Sequence, residues 1–144
     1  MRAGLNSDLG FSEDDRTENI RRLAEVATHL ARNGHIAIVA AVSPAREDRA
    51  AARRIADSAF REIHVATPAE VCESRDPKGH YAKARAGALT GFTGIGNDYQ
   101  PPATCELTLD TSTRSVTQAT DEIEQMLAKT GILFDELADQ AAHI

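Results

Sequence analysis

The chain has 144 residues, 42 % hydrophobic and 26 % charged, which predicts one globular domain with a real core. Its net charge of −6 and its scarcity of aromatics (4 %) argue against a general nucleic-acid or anionic-membrane binder. No apolar run approaches the roughly 20 residues that span a bilayer, no apolar signal core follows Met1-Arg2-Ala3-Gly4, and Cys72 and Cys105 lack metal-ligand spacing, so a cytoplasmic protein with reduced thiols is expected.

Gly4 to Phe11 is a loop by composition, and Ser12-Glu13-Asp14-Asp15 announces a helix with acids in its first turn. Its apolar stripe is Ile20, Leu23, Ala24, Ala27, Leu30 and Ala31, and Asn33-Gly34 stops it. Arg16 and Asn19 continue that stripe toward the helix start. A polar pair on a core face must be satisfied, either by the preceding loop or by a ligand, and the pattern leaves both open.

His35 to Val42 is a continuous apolar run, as expected of a strand buried on both faces of a parallel sheet. Ser43-Pro44 then reads as a cap followed by a first helical residue, at the strand-end position where ligands of open parallel sheets bind. The next helix carries Arg46, Arg49, Arg53 and Arg54, and most of that charge is expected to be solvated. Glu62–Ala66 is a second strand, Thr67-Pro68 opens a short helix through Cys72, and Tyr99 to Pro102 is an extended linker. Glu106–Asp110 is a third strand, and a last helix follows with Val116, Ala119, Ile123, Met126 and Leu127 on its apolar face, ending at Gly131. Residues 132–144 form a tail outside a domain of residues 1–131. Strands alternating with helices predict an α/β fold: a parallel sheet with helices on both faces.

Between Arg75 and Arg85 four basic residues and one acid give a local charge of +3, against −9 for the rest of the chain. This basic, glycine-punctuated stretch, extending to Ile95, reads as a cover over an anionic small molecule, with a solvated surface loop as the plainer alternative. No Gly-x-x-x-x-Gly-Lys-Ser/Thr loop, Gly-x-Gly-x-x-Gly turn or His/Cys metal motif occurs.

Several segments in order resemble the adenylylsulfate kinase family: Arg2 with Gly4-Leu5-Asn6, Asp8 to Ser12, Arg16, Glu18 to Arg22, Val42-Ser43-Pro44 with Arg46, Asp76 to Gly79, Lys83 to Gly87, and Phe92 to Ile95. The resemblance runs from Arg2 to about Leu127, and the shared order and spacing make it specific. It implies a P-loop kinase fold and ATP-dependent phosphorylation of the ribose 3′-hydroxyl of adenylylsulfate with Mg²⁺. It places Arg2, Phe11, Arg16, Asn19, Val42, Ser43, Lys78 and Phe92 on adenylylsulfate, with Phe11 and Phe92 sandwiching adenine. Ser43 matches a phosphorylated serine, Arg75 a nucleotide-side position, and Arg75 to Phe92 a lid. Ala3, Ala82, Gly96-Asn97 and Cys105 depart from the family pattern. The family's Walker A loop, with the strands around it, would precede Met1. The 144 residues alone are therefore expected to be inactive, part of a longer kinase, a homodimer or a fusion with ATP sulfurylase. The alternative is a non-catalytic adenylylsulfate- or nucleotide-binding remnant. The Lys83 to Ile95 pattern argues against another P-loop nucleotide kinase.

Overall fold

A computed structural model of the chain describes residues 3–88, 92–93 and 99–132. Arg2 and all but the first residue of the tail, 132–144, lie outside these residues. The chain divides into two compact units interleaved in sequence, Met1–Arg61 with Arg75–Ala103, and Glu62–Ser74 with Thr104–Ile144.

The first unit is built on two packed helices. Helix α1, Glu13–Arg32, starts where expected: the Ser12 hydroxyl accepts from the Asp15 N–H, and Glu13, Asp14 and Asp15 complement the positive end of the helix dipole. Helix α2, Arg46–Ala56, lies against it. Ile20 and Ala24 of α1 and Ala52 of α2 form the buried cluster, with Leu23, Ile55 and Phe60 around it. The small side chains at Ala24 and Ala52 let the two helices approach closely. A part-buried hydrogen bond crosses this seam, from the Thr17 hydroxyl to the Asp48 carboxylate at 2.9 Å. Helix α4, His80–Arg85, belongs to the same unit.

The second unit holds the sheet. Strands β1, Ile63–Val65, and β2, Leu107–Leu109, pair in parallel with Ile63 opposite Leu107, His64 opposite Thr108 and Val65 opposite Leu109. The ladder closes with Ala66 N–H on the Leu109 carbonyl at 2.7 Å and a hydroxyl pair, Thr67 to Thr111, at 2.7 Å. Helix α3, Ala69–Arg75, extends three residues past the predicted end at Cys72. Helix α5, Val116–Lys129, packs on β2, with a capping box between Ser115 and Gln118 at its start. Met126 is its buried residue, whereas Val116, expected on the apolar face, is 85 % exposed. Val116 opens the helix, where its side chain projects off the first turn rather than along the packed stripe. Cys72 and Cys105 are both free and half-buried.

The α/β class and parallel pairing are as predicted, but the strand expected at His35–Val42 is corrected. Residues 35–42 belong to no ladder, and Ile36, Ile38, Val39 and Val42 are 50, 90, 47 and 65 % exposed. A strand is a pairing state rather than a composition: without a partner for its N–H and C=O groups an apolar run stays an isolated segment. Among the described residues the sheet has two strands.

Candidate functional site

The loop before α1 is folded back onto the helix by one arginine. Arg22 donates to both carboxylate oxygens of Asp8 (2.7 and 2.9 Å), to the Leu5 carbonyl (2.9 Å) and to Glu18 (2.7 Å). Glu18 also receives two bonds from Arg21, at 2.7 and 2.9 Å. Hydrogen bonds from Arg21 and then Arg22 lower the Glu18 carboxyl from its ordinary 4.5 to about 2. The same contacts raise Arg22 above its ordinary value, and the Arg22 hydrogen bond lowers Asp8. With the loop held this way, Asn6 becomes fully buried and its side-chain amide donates to the Asn19 oxygen at 2.9 Å. The loop thus satisfies the Asn19 oxygen, while the amide N–H groups of Asn19 have no partner among the described residues.

Arg16 sits one turn before Asn19. Its Nε donates to the Phe11 carbonyl at 3.1 Å and an Nη reaches the Thr93 hydroxyl at 3.4 Å. One guanidinium thereby holds the loop bearing Phe11 and the residue after Phe92 at the start of the same helix. Phe11 is 70 % exposed. Phe92 meets Tyr81 and His80 edge-on, with ring centroids 5.0 and 6.2 Å apart.

The start of α2 differs from expectation. Its N-cap is Ala45, with no side-chain cap bond, so Ser43 is not the cap and Pro44 is not the first helical residue. Ser43 instead adopts φ +41°, a left-handed conformation costly for a residue with a Cβ. Tertiary hydrogen bonds replace the cap. Arg49 donates to the Ser43 carbonyl (2.6 Å) and to the Gln100 carbonyl, and lies over the Tyr99 ring at 5.1 Å. Gln100 N–H donates to the Pro44 carbonyl (2.9 Å), and Gln100 Oε1 accepts from the Arg46 N–H (2.9 Å). Arg46 donates twice to the Pro101 carbonyl, at 2.8 and 3.0 Å. The turn is thus zipped to the Tyr99–Pro101 segment. Arg49, expected in solvent, is only 8 % exposed, and Asp48 is 6 % exposed. Nothing in the spacing of four arginines on one helix singles out Arg49; one of its partner carbonyls, that of Gln100, lies 51 residues away in sequence. The Ser43 hydroxyl oxygen is buried without a hydrogen-bond partner among the described residues. Val42 beside it is 65 % exposed.

The basic segment turns through Asp76 to Gly79 before α4. Gly79 has φ +64°, which a Cβ would disfavour. Asp76 caps α4 by accepting from the N–H groups of Tyr81 (3.2 Å) and Ala82 (3.1 Å). Desolvation pushes its carboxyl up, but the N–H groups of Ala82, Tyr81 and His80 outweigh it and leave the pKa below the ordinary value. Lys78 and Arg75 are exposed on either side of Asp76. Leu89 to Gly91 and Gly94 to Asp98, which complete the expected cover, lie outside the described residues, as does Arg2. Among the described residues no three His, Cys, Asp or Glu side chains gather as a metal site.

The fold is the α/β fold of the P-loop kinases. The family model for adenylylsulphate kinase matches residues 1–110. An adenylyl-sulfate kinase of Shewanella pealeana is 45 % identical over 142 residues, which are 98 % of this chain and 69 % of that protein. A bifunctional enzyme CysN/CysC of Mycobacterium tuberculosis is 52 % identical over 130 residues, 88 % of this chain but 21 % of that protein. The solved structure of the Mycobacterium tuberculosis APS kinase CysC in complex with AMPPNP and APS superposes with a TM-score of 0.84 at 50 % identity, covering 88 % of this chain and 74 % of that one. The chain belongs to the adenylylsulphate kinase family, whose members are phosphotransferases. Among the described residues no helix is long and apolar enough to cross a membrane.

Proposed function

We propose that the chain binds adenylylsulfate at the starts of α1 and α2 and presents its ribose 3′-hydroxyl for phosphorylation by ATP, a step of sulfate activation. The observation that carries this reading is Ser43. A left-handed serine whose hydroxyl oxygen is buried and unpartnered costs stability, yet buried Arg49 and the Gln100 backbone hold it there. Strain and an unsatisfied polar group maintained by their surroundings point to a ligand that completes the site.

The ligand chemistry fits. Adenylylsulfate carries an anionic phosphosulfate, and Arg16 with the free amide N–H groups of Asn19 offers donors on one face of α1. Arg16 brings the exposed Phe11 and the Phe92–Thr93 pair to the same place, which supports stacking of adenine between the two rings. Val42, Ser43 and Arg2 complete the site in this reading, Lys78 adds positive charge from the turn before α4, and Arg75 lies on the nucleotide side. The complex of the Mycobacterium tuberculosis enzyme with AMPPNP and APS supports ATP as the donor. Phosphoryl transfer in such kinases rests on positioning and charge neutralisation. No Gly-x-x-x-x-Gly-Lys-Ser/Thr loop occurs in the sequence, and among the described residues no carboxylate cluster gathers as a metal site, so this reading assigns the chain's own residues to adenylylsulfate rather than to the ATP phosphates or Mg²⁺. The bifunctional relative supports a fusion as one setting for this unit, and a homodimer is the other.

Calorimetric titration with adenylylsulfate tests the reading. Stoichiometric binding is expected, weakened about tenfold or more by Arg16→Ala and by Phe11→Ala. No binding by the wild-type chain overturns it.

A further inference from the structure

We propose that Asn6 is a positioning residue: it holds the Asn19 side chain with its oxygen turned away from the ligand and its amide N–H groups turned toward it. The inference rests on the reading of the site given above and assigns a role to a residue that does not touch substrate. Asn6 is fully inaccessible, and its Nδ2 donates to Asn19 Oδ1 at 2.9 Å across thirteen residues of sequence. Its backbone is pinned on both sides. Arg22 holds Leu5 and Asp8, Ser7 N–H bonds to the Gly4 carbonyl at 2.9 Å, and Leu9 N–H bonds to the carbonyl of Asn6 itself at 3.3 Å.

A primary amide has one acceptor oxygen and two donor hydrogens, and its two flip states present opposite chemistry to the same neighbour. With Asn19 Oδ1 directed at Asn6, the Nδ2 end of the amide points the other way, on the helix face that carries Arg16 one turn earlier. The opposite flip would present an oxygen to an anionic phosphosulfate and repel it. A side chain selected only to fasten the loop to α1 would be expected to satisfy both ends of its amide. Among the described residues the buried Asn6 Oδ1 has no hydrogen-bond partner, so Asn6 is used here as a donor alone.

Calorimetry with adenylylsulfate on Asn6→Ala, Asn19→Ala and the double variant tests this, each variant checked for a native circular-dichroism melt. We expect each single variant to bind about five- to tenfold more weakly, and the double variant to match Asn19→Ala within about twofold, because Asn6 acts only through Asn19. Asn6→Asp, isosteric but unable to donate when ionised, should draw the Asn19 N–H groups inward and bind more weakly than Asn6→Ala; it serves as the second probe if the alanine variant melts early. Wild-type affinity in Asn6→Ala or Asn6→Asp, or a further loss when Asn6→Ala is added to Asn19→Ala, overturns the inference. A wild-type chain that fails to bind adenylylsulfate instead sinks the site reading beneath it.

Discussion

Replacing Arg49 with methionine is the sharpest test of how the Ser43 turn is held. The side chain is 8 % exposed and donates to two backbone carbonyls, those of Ser43 and Gln100, while lying over Tyr99. A hydrogen bond from a charged donor is worth about 1.5–3 kcal/mol, and a cation–π contact about 0.5–1 kcal/mol. Methionine keeps the apolar stem and its packing. The freed Ser43 and Gln100 carbonyls belong to residues that are not fully buried, so water can reach them in part. The expected loss is therefore at the lower end, about 3 kcal/mol. With a urea slope of about 2 kcal/mol/M, the unfolding midpoint should fall by about 1–2 M. Arg49→Lys should recover about half, since a single ammonium cannot reproduce the planar fork that serves both carbonyls. Circular dichroism follows the unfolding, and tyrosine emission gives a local report because the chain has no tryptophan and two tyrosines, Tyr81 and Tyr99. A midpoint shift under about 0.3 M for Arg49→Met would refute the claim that this arginine holds the turn.

Other outcomes follow from the same structure. Glu18 is lowered from 4.5 to about 2, so its contribution is complete above pH 4.5 and is lost as the pH falls from there through about 2; Glu18→Gln should flatten the dependence of Tm on pH in that window and leave the neutral-to-alkaline range unchanged. Ser115→Ala removes the side chain that accepts from Gln118 N–H at 3.2 Å, and should cost about 1 kcal/mol in chemical denaturation. Leu109→Ala opens a cavity at a residue 2 % exposed and should cost about 2–4 kcal/mol; a value near zero would mean that β2 is not a core strand. Ser43→Ala deletes a buried, unpartnered hydroxyl, so stability should hold or rise while adenylylsulfate affinity falls. Equal affinity for that variant would remove Ser43 from the site.

Local chemistry was legible wherever it depends on neighbours in the chain. Ser12 and the acids after it start α1, Gly131 follows the end of α5, and alternation around His64 marks β1 within a residue of its limits. The family was legible for a related reason: motifs such as Asp8 to Ser12 and Lys83 to Gly87 keep their identity whatever they pack against. Contacts between distant segments were not. His35–Val42 has the composition of a buried strand, but pairing needs a second chain segment, and no string of side-chain types supplies one. Arg49 looked like its solvated neighbours until Gln100 and Ser43 offered it two carbonyls. Ser43-Pro44 has the local signature of a helix start, which the bonds from Arg46, Arg49 and Gln100 override.

What the sequence by itself determined is the helices α1, α2, α3 and α5, the places of strands β1 and β2 and the membership of a kinase family, because propensity, capping and motif are properties of adjacent residues. Only the tertiary structure decided that Asn6 is buried against Asn19, that Arg16 ties the Phe11 loop to Thr93, and that Ser43 is left strained with an unpartnered hydroxyl. Each depends on groups brought together from distant positions, where a polar atom's free energy is set by the partner it finds rather than by its neighbours in the chain.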